Sequence, residues 1–283
     1  MKTILVTGGT DGIGKSIVLS HLKKNDTVIA VGSSKEKGDL LIKEAKEIKK
    51  ENFLIFYPAD LSLVQENIRL ANFIKENFNT LDKAVFCAAS LKPQPAYAET
   101  KENFEFTFAL YYLSRYVLSY ALKETLEQAP DPVILNVCAP GMKGPLFLDD
   151  LQMKNNYHGQ KAQFHGSRLN DLLGVWFCEQ DTVKKIKYIL FNPMAARTPG
   201  AKKMAEGNPF MKLTMSVYYK LFGKDVSELV SIIAQDEANT GHVGLSAYNL
   251  TKPVDLGMET YKKENAEKLE EQTRKLLKNR INF

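Results

Sequence analysis

The sequence predicts an α/β fold, a doubly wound parallel sheet covered on both faces by helices. Three observations carry this. Short apolar runs rich in Val and Ile recur along the chain, and stretches with helical apolar spacing alternate with them. The first run closes on a glycine-rich turn that opens directly into a helix. The length, 283 residues, suits one large α/β domain spanning 1–283 with a C-terminal elaboration better than two independent domains.

The first strand, residues 3–6, leads into Thr7-Gly8-Gly9-Thr10-Asp11-Gly12-Ile13-Gly14, after which Ile17, Val18 and Leu22 supply a helical apolar face. Glycine lets the backbone turn tightly and approach a diphosphate, whose charge is met by the free N–H groups at the helix start. A second strand, residues 27–31, ends in Gly32-Ser33-Ser34-Lys35. An acid there would accept hydrogen bonds from the adenosine ribose of NAD. Ser33, Ser34 and Lys35 suit a 2′-phosphate and favour NADP(H) over NAD(H), the plainer alternative being a solvated loop.

A charged helix at residues 38–50 returns to a third strand, 53–57, followed by Pro58-Ala59-Asp60-Leu61-Ser62, where a cap for the helix over 64–77 is the plainer of two readings of Asp60. A fourth strand at 83–89 ends in Ala88-Ala89, and Pro93 and Pro95 mark the next segment as loop. A long helix over 101–128 carries Phe104, Phe108, Tyr111, Tyr112 and Tyr116, a spacing that suits core or subunit interface better than a ligand box. The fifth strand, 132–137, is followed by Cys138-Ala139-Pro140-Gly141, and the sixth, 186–191, by Asn192-Pro193-Met194-Ala195-Ala196-Arg197-Thr198. Methionines and aromatics over residues 200–223 suggest a lid above an apolar or bulky substrate, with a packing helix as the equal alternative. A helix at 226–237, a last strand at 244–249 and a charged helix at 260–279 complete the chain. The leucines of that last helix suit docking on the domain or a partner, with a membrane surface as the lesser alternative.

Tyr157-His158-Gly159-Gln160-Lys161 opens a helical pattern read over 157–177. At four-residue spacing on a helix, a phenol and an ammonium share a face, and the cation favours the phenolate. Tyr97/Lys101 and Tyr248/Lys252 repeat the spacing, but the first pair lies in a loop and the second precedes Pro253 at the last strand. Tyr157 and Lys161 are therefore the candidate catalytic pair.

The net charge of +5 is spread through mixed Lys/Glu runs, which read as solvated helix faces and give no nucleic-acid stripe. Cys87, Cys138 and Cys178 lack metal-type spacing and are odd in number, so no metal site is expected and the chain reads as reduced and cytoplasmic. No signal-peptide core and no run near 20 apolar residues is present, so no membrane span is expected.

Taken together, Thr7-Gly8-x-x-x-Gly12-Ile13-Gly14, Asp60-Leu61, Tyr157-x-x-x-Lys161 and the segment from Pro193 to Thr198 resemble the short-chain dehydrogenase/reductase superfamily. Phe104-Glu105-Phe106-Thr107-Phe108 and Asp150-Leu151-Gln152 are similar to its retinol-dehydrogenase-like branch. The resemblance implies a Rossmann-like fold and hydride transfer between NADP(H) and a carbonyl/alcohol pair. It also implies adenine contact at Asp60, cofactor contacts at Leu61, Ala88, Ala89, Pro193 and Thr198, proton donation by Tyr157, and a Lys161 that holds the nicotinamide ribose. Pairing of two copies through the helices containing Tyr111 and Phe164 is a further implication.

The departures are equally specific. The family's Asn-Asn-Ala-Gly reads Phe86-Cys87-Ala88-Ala89, its relay asparagine falls on Tyr111, its catalytic serine on Ala139, and a glycine on Met194. Two readings follow: a reductase in which Tyr111, a water or the Cys138 thiol replaces the serine, or a regulatory or scaffold protein that binds NADP without turnover.

Overall fold

The computed structural model describes residues 1–90, 92–144, 146–180, 182–194, 243–278 and 280. Thr198, the expected lid at 200–223 and the expected helix at 226–237 lie outside the described residues.

The expected strands form at β1 (Thr3–Thr7), β2 (Thr27–Gly32), β3 (Leu54–Pro58), β4 (Lys83–Phe86), β5 (Val133–Val137), β6 (Lys187–Asn192) and β7 (Gly244–Asn249). They pair in parallel in the order β3-β2-β1-β4-β5-β6-β7. β4 ends at Phe86, three residues earlier than expected, because the backbone leaves the ladder once Cys87 N–H has bonded Thr7 O at 3.1 Å. A short antiparallel edge strand, β8 (Lys252–Pro253), was not expected; Pro253 is tolerated there because an edge strand leaves its N–H side unpaired.

Side chains alternate between the two faces of each strand. Ile4, Val6, Val28, Ala30 and Val85 pack with Ile17, Val18, Leu22, Leu41 and Ala45 of helices α1 (Gly12–Lys23) and α2 (Lys35–Glu47). Leu5, Ile29, Val31, Ala84 and Phe86 face α3 (Val64–Asn77) and the central helix. All of these are fully or nearly fully buried, at roughly 1.5–3 kcal/mol for each large side chain.

The central helix begins later than its sequence pattern. Asn103 takes φ +62°, and Phe104 O accepts from Thr100 N–H in a turn. Helical structure then runs through a turn at Phe106–Phe108, a π-helical segment at Ala109–Leu113, α4 (Ser114–Ala121) and α5 (Lys123–Glu127). Phe104, Phe108, Tyr112 and Tyr116 are core, as their spacing suggests, whereas Tyr111 is only partly buried. Helix α6 (Gly159–Cys178) follows, and α7 (Lys263–Leu277) packs on it with Leu269 and Leu277 buried.

Candidate active site

The sheet order reverses direction between β1 and β4, the place at which open α/β sheets bind ligands beyond the carboxyl ends of their strands. The β1–α1 turn lies at the carboxyl end of β1. Gly8 takes φ +65°, and a Cβ on it would stand 2.9 Å from Ala88 N. A Cβ on Gly14 would stand 2.3 Å from Gly8 O, so the helix start and the turn approach each other closely. Ala88 N–H is tied to Thr7 Oγ1 at 3.3 Å, and Gly9 N–H donates to Val31 O at 3.0 Å. Thr10 packs across Gly32, where a Cβ would lie 2.6 Å from Thr10 Oγ1. Gly8, Thr10, Gly14, Gly32 and Ala88 thus pack tightly together in one cradle at the start of α1.

Asp11 caps α1 through Gly12 N–H at 2.7 Å and pairs with Lys37, a cation that the sequence reading missed. Burial pushes the Asp11 carboxyl up, but the bonds from Lys37 and Gly12 outweigh it and leave the group below its usual value. Ser33 and Lys35 are exposed at the end of β2, and Ser34 caps α2 by accepting from Lys37 N–H at 3.2 Å. No carboxylate stands among residues 32–35.

Asp60 does not cap α3. Its carboxylate accepts from Ser62 N–H at 3.0 Å and Ser62 Oγ at 2.7 Å, while Glu102 caps the helix by accepting from Val64 N–H and Gln65 N–H. Leu61 is buried, Ala89 exposed, and Pro193 partly exposed beyond β6.

The reacting end departs from expectation. Helix α6 starts at Gly159, where a Cβ would lie 2.2 Å from Gln94 O, and the preceding His158 is extended. Tyr157 therefore stands before the helix, and four-residue spacing does not put it on one helical face with Lys161, which is exposed. The Tyr157 hydroxyl donates to Glu105 Oε1 at 2.9 Å. Burial and the Glu105 charge, against a bond with Thr107, push the phenol up to about 12, opposite to the lowering expected from Lys161. Neither repeat of the motif is helical: Tyr97 lies in a loop with its ring edge-on to Tyr157, and Tyr248 and Lys252 sit in β7 and β8.

Beyond β5, Cys138 N–H donates to Phe191 O at 2.9 Å, and burial pushes its thiol well above the usual range. Ala139 offers only a methyl group. The nearby polar groups come from the helices. Tyr111 Oη lies 3.3 Å from Ser167 Oγ, and the Arg115 guanidinium covers the Tyr111 ring at 4.3 Å. Arg115 follows Tyr111 by four residues, a spacing that the Tyr-x-x-x-Lys pattern does not single out because the cation is arginine. Among the described residues no helix is long and apolar enough to cross a membrane, and no three His, Cys, Asp or Glu side chains are grouped to hold a metal.

A model of the short chain dehydrogenase family matches residues 2–147, more than half of the 283-residue chain. The protein belongs to the short-chain dehydrogenase family. It is similar to human polyprenol dehydrogenase, 28% identical over 170 residues, covering 57% of this chain and 51% of that protein. Mouse retinol dehydrogenase 13 is 26% identical over 172 residues, covering 59% and 50%. These agree with the retinol-dehydrogenase-like character of residues 104–108 and 150–152. The chain spans about half the length of the curated relatives it matches. Among solved structures, the Pseudomonas aeruginosa RhlG/NADP active-site complex superposes with a TM-score of 0.66 at 17% identity, covering 90% of this chain and 95% of that one. A Salmonella enterica short chain dehydrogenase gives 0.66 at 14%, covering 88% and 95%. At such identities the likeness is one of fold.

Proposed function

We propose that this protein is an NADP(H)-dependent oxidoreductase that interconverts a carbonyl and an alcohol in a reducing, cytoplasmic setting. The observation that carries the reading is the cradle of Gly8, Thr10, Gly12 and Gly14 at the sheet's reversal point, with hydroxyl and basic groups and no acid at the end of β2. In this reading the turn holds the diphosphate, Ser33, Ser34 and Lys35 meet the 2′-phosphate, Asp60 and Leu61 flank the adenine, and Ala88, Ala89, Pro193 and Thr198 line the remainder. The reduced nicotinamide supplies hydride when bound. The NADP complex among the structural neighbours supports the choice of cofactor, and the unbridged Cys87, Cys138 and Cys178 support the setting. The substrate is a small molecule, bulky or apolar if residues 200–223 cover it. Lys161 is carried over as the ribose-holding residue, and Tyr157 acts as donor only if released from Glu105.

The test is titration of NADPH and NADH against wild type and Lys35→Glu, followed by NADPH consumption with a panel of apolar aldehydes and ketones. Tighter NADPH binding that is selectively lost in Lys35→Glu, with turnover of some member, is expected; preference for NADH would sink the cofactor assignment. The second reading, NADP binding without turnover, is favoured by the methyl group at Ala139 and the carboxylate on Tyr157. It predicts binding and no consumption across the panel. Ala139→Ser then discriminates further: a large gain in activity marks a relay lacking only its serine.

A further inference from the structure

The central helix holds a second phenol and cation at four-residue spacing, and these two are in contact. Arg115 lies with its ring-facing guanidinium carbon 4.3 Å from the Tyr111 ring centroid, and its Nη1 donates to Tyr111 O at 3.1 Å. Its Nη2 donates to Val137 O at 3.0 Å and Ala88 O at 3.4 Å, the last residue of β5 and a residue just past β4. The pair therefore sits at the carboxyl ends of the two strands that border the expected reacting centre.

Arg115 is 1% exposed, and its Nε has no hydrogen-bond partner among the described residues. No described carboxylate forms an ion pair with it, and each acceptor it reaches is a neutral carbonyl. A buried cation with only neutral partners is costly, and the Tyr111 ring face recovers only part of that cost. An anion formed beside it would be stabilised.

Tyr111 is shaped for this place. The π-helical segment Ala109–Leu113 changes the direction of its side chain relative to a regular helix. On the facing helix Gly166 clears space for the ring, since a Cβ there would stand 2.7 Å from Tyr111 Cδ1. The hydroxyl meets Ser167 Oγ at 3.3 Å, and the Cys138 thiol beyond β5 is close enough to act on it electrostatically. Burial holds the phenol above its usual value; Arg115 and the Ser167 bond act against this, and Cys138 acts with it. Tyr157, by contrast, has its hydroxyl committed to a carboxylate.

We propose that Tyr111 is the proton-donating residue for the substrate's carbonyl oxygen, with Arg115 and Ser167 as positioning residues that hold the phenolate left behind. This rests on the oxidoreductase reading above. A bound reduced nicotinamide would supply hydride for the new C–H bond and be left oxidised; the Tyr111 O–H bond breaks as its proton is taken up by the carbonyl π pair, and the alcohol leaves. The phenolate then regains a proton from solvent.

The experiment compares wild type, Tyr111→Phe and Tyr157→Phe for NADPH binding and carbonyl turnover. In parallel, 3-fluorotyrosine placed at position 111 is titrated by ¹⁹F NMR in wild type, Arg115→Gln, Arg115→Lys and Ser167→Ala. Tyr111→Phe is expected to lose about a hundredfold or more in turnover at unchanged NADPH affinity, a larger loss than in Tyr157→Phe. The ¹⁹F midpoint is expected to rise in Arg115→Gln and Ser167→Ala and to return towards wild type in Arg115→Lys. Retained turnover in Tyr111→Phe overturns this assignment and leaves the oxidoreductase reading standing, whereas a wild type that binds NADPH but consumes none overturns both. An unchanged midpoint in folded Arg115→Gln overturns the role of the cation; should that variant fail to fold, an unchanged midpoint in Ser167→Ala overturns the positioning scheme.

Discussion

The hydroxyl of Tyr157 donates to Glu105 Oε1 at 2.9 Å and joins the segment before α6 to the start of the central helix. Glu105 is 1% exposed; its other oxygen accepts from Phe108 N–H, and its own N–H donates to Gln152 Oε1 at 2.9 Å. The two stretches similar to retinol-dehydrogenase-like proteins thus meet where the Glu105 backbone N–H reaches Gln152.

Glu105→Ala removes a helix cap and leaves Phe108 N–H and the Tyr157 hydroxyl without their acceptor. A loss of about 1–3 kcal/mol is expected in urea unfolding. In the same variant the Tyr157 phenol should titrate lower, because a neighbouring negative charge is gone; a phenol titration with 3-fluorotyrosine at position 157 checks this.

Asp171 makes stability depend on pH. It is buried on α6, accepting from Thr260 Oγ1 at 2.8 Å and Gly141 N–H at 3.1 Å, and burial raises its carboxyl to about 7 against these bonds. The fold therefore favours the neutral acid. Its contribution is fully present below the usual carboxyl value and is lost as pH rises through about 7. Asp171→Asn should flatten this fall, on the order of a few kcal/mol, when urea midpoints are compared across that window.

Gly14→Ala places a methyl group where Gly8 O stands 2.3 Å away. Turn and helix must separate, and NADPH affinity should fall about tenfold or more for each ~1.4 kcal/mol of misfit. Fluorescence titration measures it; an unchanged affinity would remove the cradle from the cofactor site.

Met194 takes φ +51° while half exposed, at the position where the family pattern has glycine. The left-handed backbone costs a non-glycine residue roughly 1–2 kcal/mol, and glycine returns some of that through a more flexible unfolded chain. Met194→Gly should gain about 1 kcal/mol or slightly less in thermal or urea unfolding.

Much of the fold was legible because it is written locally. Alternating apolar runs and helical spacing place β1 to β7 within a few residues, and the glycine turn falls between β1 and α1 as its spacing predicts. Spacing near α3 points to Asp60 as the plainer cap, whereas the residue that caps it, Glu102, arrives from 38 residues away. Lys37 was missed because its partner Asp11 lies across the α1–α2 junction.

The sequence by itself determined the order of strands and helices, the turn at Gly8 to Gly14 and the absence of an acid after β2, since each depends on neighbours a few residues apart. Only the tertiary structure decided which groups surround each phenol. Each helical residue turns a side chain by roughly 100°, so a helix starting at Gly159 takes Tyr157 off the face of Lys161. The same folding carries Tyr157 to a carboxylate 52 residues away and sets Tyr111, Arg115 and Ser167 together on two facing helices. Such contacts depend on helix starts and packing, which no spacing rule along the chain encodes.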